Sequence, residues 1–406
     1  DPLGLFKELR EHRPILVLPQ CTLVANYDDV IELLNMPKVF TAALYQPKME
    51  PTYLMCHDED ALHYREKSLM QSMLNREDLP RIRTTVASIA QAILKRKNSL
   101  NAVTDYCRAV PTGLVQQYFG LIGIQPAKLM EWSYWAQVDT FYNQPFDLIP
   151  ETERQHIIRE HARSGEELGD YITALILGQS IALKLKLPAR MLTCIKRAFY
   201  RLFGRAMPNQ DDIVSRMLRS DFPAEFDFDI KRVGINAGGL LIGTIETTAQ
   251  ASVQALQYIL SHPEIHAQAV ATAALEDPAK FDAIVWEALR FVPISPYMFR
   301  TTASPYTLAK GTAHATTIPA NTYVLALTQS AMFDEKAFEQ AADFVAGRNW
   351  YHYFTFGYGA HECLGKYVGM VMIPEMVRQL ILLPKLKADA QIQYDGHMPS
   401  AYRIDW

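Results

Sequence analysis

The chain has 406 residues, 49% hydrophobic and 21% charged, so it holds enough apolar side chains for a deep core. Its formal net charge of −4 gives no electrostatic reason to expect a nucleic acid or an acidic polymer as partner. The five cysteines, at 21, 56, 107, 194 and 363, are scattered, odd in number and without CxxC spacing, so a reducing, cytoplasmic setting is expected.

In chain order, residues 1–13 read as a short helix, 15–24 as extended chain, and 27–34 as a helix begun by Asp28 and Asp29. Because residue 1 is Asp rather than Met, a trimmed natural start is expected. Longer helical patterns cover roughly 60–75, 80–97, 102–120, 151–180, 229–261 and 279–291. The stretch 297–328 is rich in β-branched and aromatic residues, broken by Pro305, Gly311 and Pro319, which predicts hairpins. Apolar runs are too short for a membrane span. With no repeat and no long linker, one mainly helical domain over 1–406 with a small sheet is expected.

Three of these segments carry unusual chemistry. Lys231 to Ser261 predicts a continuous helix of about 46 Å at 1.5 Å per residue. It holds Gly234, Gly238, Gly239 and Gly243, each costing roughly 1 kcal/mol against alanine. Close approach to a large flat ligand would justify them, and so would packing on another helix. Glu246, Thr247 and Thr248 follow as an acid beside two hydroxyls. Glu287 and Arg290 stand three apart among apolar residues 284–292, so that helix is expected to be buried all round. A buried arginine has five donors to satisfy, and further partners are required. Residues 183–205 hold seven basic side chains and no acid, with an apolar face at helical spacing. A solvated lid helix is the expectation there, and weak contact with an anionic membrane surface the alternative.

The most informative segment is Phe356-Gly357-Tyr358-Gly359-Ala360-His361-Glu362-Cys363-Leu364-Gly365. Two glycines two apart permit turn geometries closed to other residues. Cys363 falls just before an apolar helical run, where the helix dipole and unpaired N–H groups stabilise a thiolate. Gly365 lets that helix approach a flat partner closely. Such a cysteine suits metal ligation or nucleophilic chemistry. A zinc site built from His352, His361 and Cys363 lacks a fourth ligand, and no hydrolase signature surrounds the cysteine.

This segment resembles the haem-binding loop of the cytochrome P450 family, F-G-x-G-x-[HR]-x-C-x-G, and fills all six constrained positions. The resemblance implies a mainly α cytochrome P450 fold, with Cys363 as the thiolate ligand of a b-type haem. Residues 243–248 resemble the family's [AG]-G-x-[DE]-T-[TS] sequence. Gly243 then borders the haem, Thr247 is the alcohol that hydrogen-bonds dioxygen, and Glu246 is the acid that feeds protons toward it. Thr244 stands where the family has a second glycine. His63 and Lys67 resemble an H-x-x-x-R pair, with lysine giving up bidentate geometry. With Arg300 and His361 they are implied to hold the propionates. Glu287, Arg290 and Arg348 are implied to form a structural network under the haem loop, although Ala341 replaces the usual proline of that region.

The reaction implied is insertion of one oxygen atom of O2 into a hydrophobic molecule. Electrons would come from NAD(P)H through a redox partner, a ferredoxin with its reductase. Peroxide use or hydroperoxide rearrangement, a non-catalytic haem sensor, and a cysteine hydrolase are the rival readings. Expected pocket residues are Tyr45, Met55, Leu241, Ile294, Pro296 and Met298. Only 22 residues separate Phe40 from His63, which predicts a reduced roof over the pocket. Pro374 is expected to kink or restart the helix after Cys363.

Overall fold

Alternating turn residues and apolar runs near the N-terminus become a helix Pro2–His12 and a hairpin, Ile15–Val17 with Thr22–Val24. These coordinates are a computed structural model, and they describe residues 2–58, 60–95, 97–184 and 211–406. The hairpin joins a five-stranded sheet that runs Ile15–Val17, Thr22–Val24, Tyr323–Ala326, Met298–Thr302, Phe40–Thr41. Thr22–Val24 and Tyr323–Ala326 pair in parallel, and the other neighbours are antiparallel. In this register Arg300 faces Val324 across the ladder, at the middle of its strand. The basic stretch 185–205, including Cys194, lies outside the described residues. Among those described, no helix is long and apolar enough to cross a membrane.

Helices make up the rest of the fold. Glu151–Lys184 and Pro126–Tyr142 pack together beside Ile230–Ile242, while Ile245–Ser261 packs on Lys366–Ile381 and Ala279–Phe291. Helix Lys366–Ile381 continues through Pro374 rather than restarting there. Ten other residues of that helix besides Pro374 are buried, from Val368 to Ile381. Tertiary packing of that face outweighs the one backbone hydrogen bond a proline removes. The 102–120 pattern is broken into wide π-type turns at Val103–Cys107 and Val115–Phe119, around a short helix Ala109–Leu114.

The long helix expected over 231–261 breaks at Gly243–Thr244, giving Ile230–Ile242 and Ile245–Ser261. Two side-chain hydroxyls account for the break. Thr244 Oγ1 donates to Leu240 O at 2.6 Å, and Thr247 Oγ1 donates to Gly243 O at 2.8 Å. Hydroxyls that compete for carbonyls four residues back bend helices. Three of the four glycines meet side chains rather than open space. A Cβ on Gly234 or Gly238 would touch Ile172 at ordinary contact distance, so these two serve helix packing. A Cβ on Gly239 would overlap the Tyr53 ring at 2.3 Å, so this position depends on having no side chain.

Helix Ala279–Phe291 is buried on every side from Ile284 to Arg290. Glu287 accepts hydrogen bonds from Arg290 (2.7 and 3.1 Å), Arg348 (3.2 Å), Tyr353 (2.5 Å) and the Val345 N–H (3.0 Å). The partners required for Arg290 are the carbonyls of Met332, Ala341 and Asp343. Residue 341 contributes through its backbone, so alanine serves where the family has proline.

Burial opposes ionisation of Glu287, but the bonds from Arg290 and Tyr353 outweigh it and hold the carboxyl below the ordinary Glu value of 4.5. A carboxylate depressed in the folded state contributes stability above the unfolded value, and that stability is lost as pH falls below it. Glu287→Gln would leave two arginines without their carboxylate, costing about 3–5 kcal/mol. Urea unfolding should show that loss at neutral pH and a shallower fall in stability below pH 4.5 than the parent shows. A difference within error at both pH values would remove the network from its structural role.

Candidate active site

A chamber of about 1370 Å³ lies between the 230–261 helices, the sheet and the Cys363 loop. It exceeds the usual range for a small-molecule pocket, roughly 300–1,000 Å³, and leaves room for a macrocycle and a substrate together. His63, Lys67, Gly243, Thr247, Arg300, Phe356, Gly357, His361, Cys363 and Gly365 all line it. Glu246 does not.

The loop that presents Cys363 is set by backbone geometry. Gly357 and Gly359 adopt φ of +78° and +68°, and Phe356 O accepts the Cys363 N–H at 2.7 Å. Trp286, one residue from Glu287, meets the Phe356 ring edge-on at 5.5 Å between centroids, coupling the buried ion-pair helix to the loop. Cys363 has accessible surface, yet it lies deep in the protein, and that surface faces the chamber. Burial pushes the thiol up, while the Gly365 N–H bonded to sulfur and the charges of Lys67 and Lys366 pull it down. His352, His361 and Cys363 are not gathered at metal-ligand distance among the described residues, which disposes of the zinc arrangement.

Four basic groups stand at the chamber edge. Lys67 donates to Ala360 O at 2.5 Å and Glu362 O at 2.7 Å. Burial lowers its pKa, and the charges of Glu362 and Cys363 work against that. Arg300, 5% exposed, donates to Phe299 O and shares a hydrogen bond with the Tyr45 phenol. No salt bridge joins Lys67 or Arg300 to a carboxylate among the described residues, and buried cations without acids are costly. His63 sets its ring nitrogens 2.9 Å from Leu54 O and Ala360 O. His361 faces Asp58 at 3.0 Å; burial lowers its pKa, and the Asp58 hydrogen bond partly offsets this.

These residues fit a haem. A sulfur faces the chamber, the glycines beside it admit a flat group, and half-buried Lys67 and buried Arg300 lack, among the described residues, the anions that propionates would supply. The residue that departs from expectation is Glu246. It is fully buried and paired with Arg108, whose Nε lies 2.8 Å from Oε1 and 3.0 Å from Oε2. Burial raises its pKa, partly offset by Arg108. The 103–107 π-type turn ends against Arg108, which also donates to Pro399 O. Nothing in the sequence marked Arg108 or Asp58, because their partners lie 138 and 303 residues away.

The apolar pocket residues Tyr45, Met55, Ile294, Pro296 and Met298 line the chamber as expected. Leu241 does not; it is fully buried in the core, and its neighbours Leu240 and Ile242 face the chamber instead. The helical phase near the Gly243 break is what misplaced it. The 41–62 segment folds into two tight turns, Ala43–Lys48 and Leu54–Cys56, and contributes Tyr45, Tyr53 and Met55 to the wall. Helices Pro126–Tyr142 and Glu151–Lys184 supply the remaining cover.

Gly359 gives a direct test of the loop. A Cβ there would sit 2.8 Å from Leu34 O and 3.1 Å from Asn35 Oδ1, in a left-handed conformation. That conformation alone costs an L-residue roughly 1–2 kcal/mol. Gly359→Ala is expected to lower the melting temperature and the haem content of the purified protein, and retention of both would show the loop to be adaptable.

A family model described as Cytochrome P450 matches residues 205–389. Cyclomarin C epoxidase of Salinispora arenicola is 24% identical over 372 residues, covering 89% of this chain and 83% of that protein. Erythromycin C-12 hydroxylase of Saccharopolyspora erythraea is 26% identical over 319 residues, covering 78% and 69%. The cytochrome P450 CYP109Q5 structure from Chondromyces apiculatus superposes with a TM-score of 0.73 at 20% identity, over 100% of this chain and 95% of that one, and shows the shared fold. With the filled cysteine loop and the chamber it opens into, these likenesses support a cytochrome P450 family member, and the solved structure shows the same fold.

Proposed function

We propose that this chain is a haem-thiolate monooxygenase that inserts one oxygen atom of O2 into a largely hydrophobic organic molecule. The observation that carries the reading is Cys363, its sulfur facing a large, mostly apolar chamber bordered by Thr247 and by cations without acids. Electrons from NAD(P)H through a ferredoxin and its reductase complete the proposal. The related epoxidase and hydroxylase support the reaction class.

Cys363 would ligate the haem iron, and Lys67, Arg300, His361 and His63 would hold the propionates. The haem, when bound, supplies oxygen activation, with the thiolate favouring O–O cleavage. The protein's own part is arrangement. The Gly365 N–H keeps a hydrogen bond on the sulfur, which tunes its electron donation. The apolar wall of Ile294, Pro296 and Met298 excludes water from the reacting centre. Thr247 presents its Oγ1 at the helix break. Since that hydroxyl donates to Gly243 O, its lone pairs are free to accept, and it can relay a proton by exchanging that bond. Glu246 stands behind it as a reserve acid held by Arg108, and it can contribute only after that pair opens.

Reduced protein with carbon monoxide is expected to show thiolate-type absorbance, and Cys363→Ala to lose it; retention in the variant would overturn the ligand assignment. The Glu246–Arg108 pair favours one rival, since a site using peroxide has less need of a free proton-feeding acid. Comparing turnover on O2 with reductant against peroxide alone decides between them. Thr247→Ala should cut product formed per electron roughly tenfold with O2. Equal yield from the variant, or turnover on peroxide only, would favour the rival.

A further inference from the structure

The expected apolar pocket has one wall that is not apolar. Asp139 and Gln137, on helix Pro126–Tyr142, line the chamber together with Lys48 and His161. Lys48 closes the 43–48 turn, and His161 lies on helix Glu151–Lys184. Asp139 gathers the group, accepting from Lys48 Nζ at 2.8 Å, His161 Nδ1 at 2.7 Å and Asn143 Nδ2 at 2.6 Å. Burial works against that carboxylate, yet the three donors hold its pKa down to about 2. Three separate elements are thereby pinned at one point of the wall.

What this cluster leaves unused points into the chamber. Gln137 is 3% exposed and its side-chain Oε1 is buried with no hydrogen-bond partner among the described residues. Orphaned polar groups at this depth carry a desolvation cost unless a ligand or water meets them. Lys48 has ammonium hydrogens beyond the one given to Asp139, and His161 Nε2 has no hydrogen-bond partner among the described residues. Lys48 and Asp139 cancel in charge, and so do Lys231 and Glu50, which also line the chamber. The wall therefore offers donors and acceptors without a positive excess, which disfavours an anionic ligand.

We propose that the substrate is amphiphilic, an apolar body carrying an uncharged donor–acceptor group, an alcohol or a carboxamide, that docks on Gln137, Lys48 and His161. This deepens the monooxygenase reading and rests on it. Gln137 and its neighbours are positioning residues, since they would fix which carbon of the substrate reaches the Cys363 side of the chamber.

The probes are matched dodecane, 1-dodecanol, dodecanamide and dodecanoate, repeated with octyl and hexadecyl chains. Binding is read twice on the haem-loaded protein, by the spin-state shift and by the rise in melting temperature. For at least one chain length, the alcohol and amide should bind about tenfold more tightly than the alkane, with the carboxylate no tighter than the alkane. Gln137→Met keeps the length and removes the polarity, and should shrink the alcohol's advantage to about threefold or less. The variant's carbon monoxide spectrum checks that it folds. Equal binding of alkane and alcohol, preference for the carboxylate, or an unchanged ratio in Gln137→Met would each overturn the proposal. If thiolate-type absorbance is absent while the melting shifts still rank alcohol above alkane, the wall stands and the monooxygenase reading falls.

Discussion

Glu287 accepts five hydrogen bonds in a place that water does not reach, and the path from the buried ion-pair helix to Cys363 depends on that carboxylate. Two arginines surround one acid, so the network keeps a net positive charge, which the carbonyls of Gln340, Ala341 and Asp343 help to solvate. A buried charge cluster of this kind adds little net stability over a well-packed apolar one. What it supplies is position. Tyr353 gives its hydroxyl to Glu287 and its ring to Trp350, and Trp350 and Trp286 both pack on Phe356. Phe356 in turn accepts the Cys363 N–H. Rotating or shifting the cysteine would therefore disturb a chain of contacts that ends in an unsatisfied buried charge.

That framework was legible in the sequence because its signals are short. The helix 279–291 matches its expected bounds, since apolar residues on all sides with one charged pair admit few alternatives. The cysteine loop was equally clear, with its glycines at fixed offsets and positive φ where only glycine is comfortable. Sequence reasoning failed where tertiary partners decide. The break at Gly243–Thr244 follows from which carbonyls two hydroxyls choose, and it displaced Leu241 from the chamber in favour of Leu240 and Ile242. Pro374 predicted a kink or a restart, and packing of Lys366–Ile381 carried one helix past it. Glu246 looked like an acid aimed at the oxygen site, but Arg108, from a distant π-type turn, claimed it.

The polar wall shows the same limit from the other side. Lys48, Gln137, Asp139 and His161 are isolated polar residues on three elements, and such residues normally face water. The packing of helix Pro126–Tyr142 against the 43–48 turn and against Glu151–Lys184 turns them inward. No local periodicity could have marked that convergence, because each element contributes one or two residues.

The chamber as a whole treats charge in two ways. Toward the haem loop, half-buried Lys67 and buried Arg300 have carbonyls and a phenol for company and, among the described residues, no carboxylate in a salt bridge, an arrangement that an anion from outside the chain would complete. At the polar wall, Lys48 already has its carboxylate, and the groups left over are an amide and an imidazole edge. One part of the chamber is thus built to be completed by a dianionic cofactor, and another would be left incomplete by an anion and satisfied by a hydroxyl or an amide. A ligand with charge at its polar end would compete for Lys67 and Arg300 rather than for Gln137. The distribution of paired and unpaired cations therefore sorts cofactor from substrate before either makes an apolar contact.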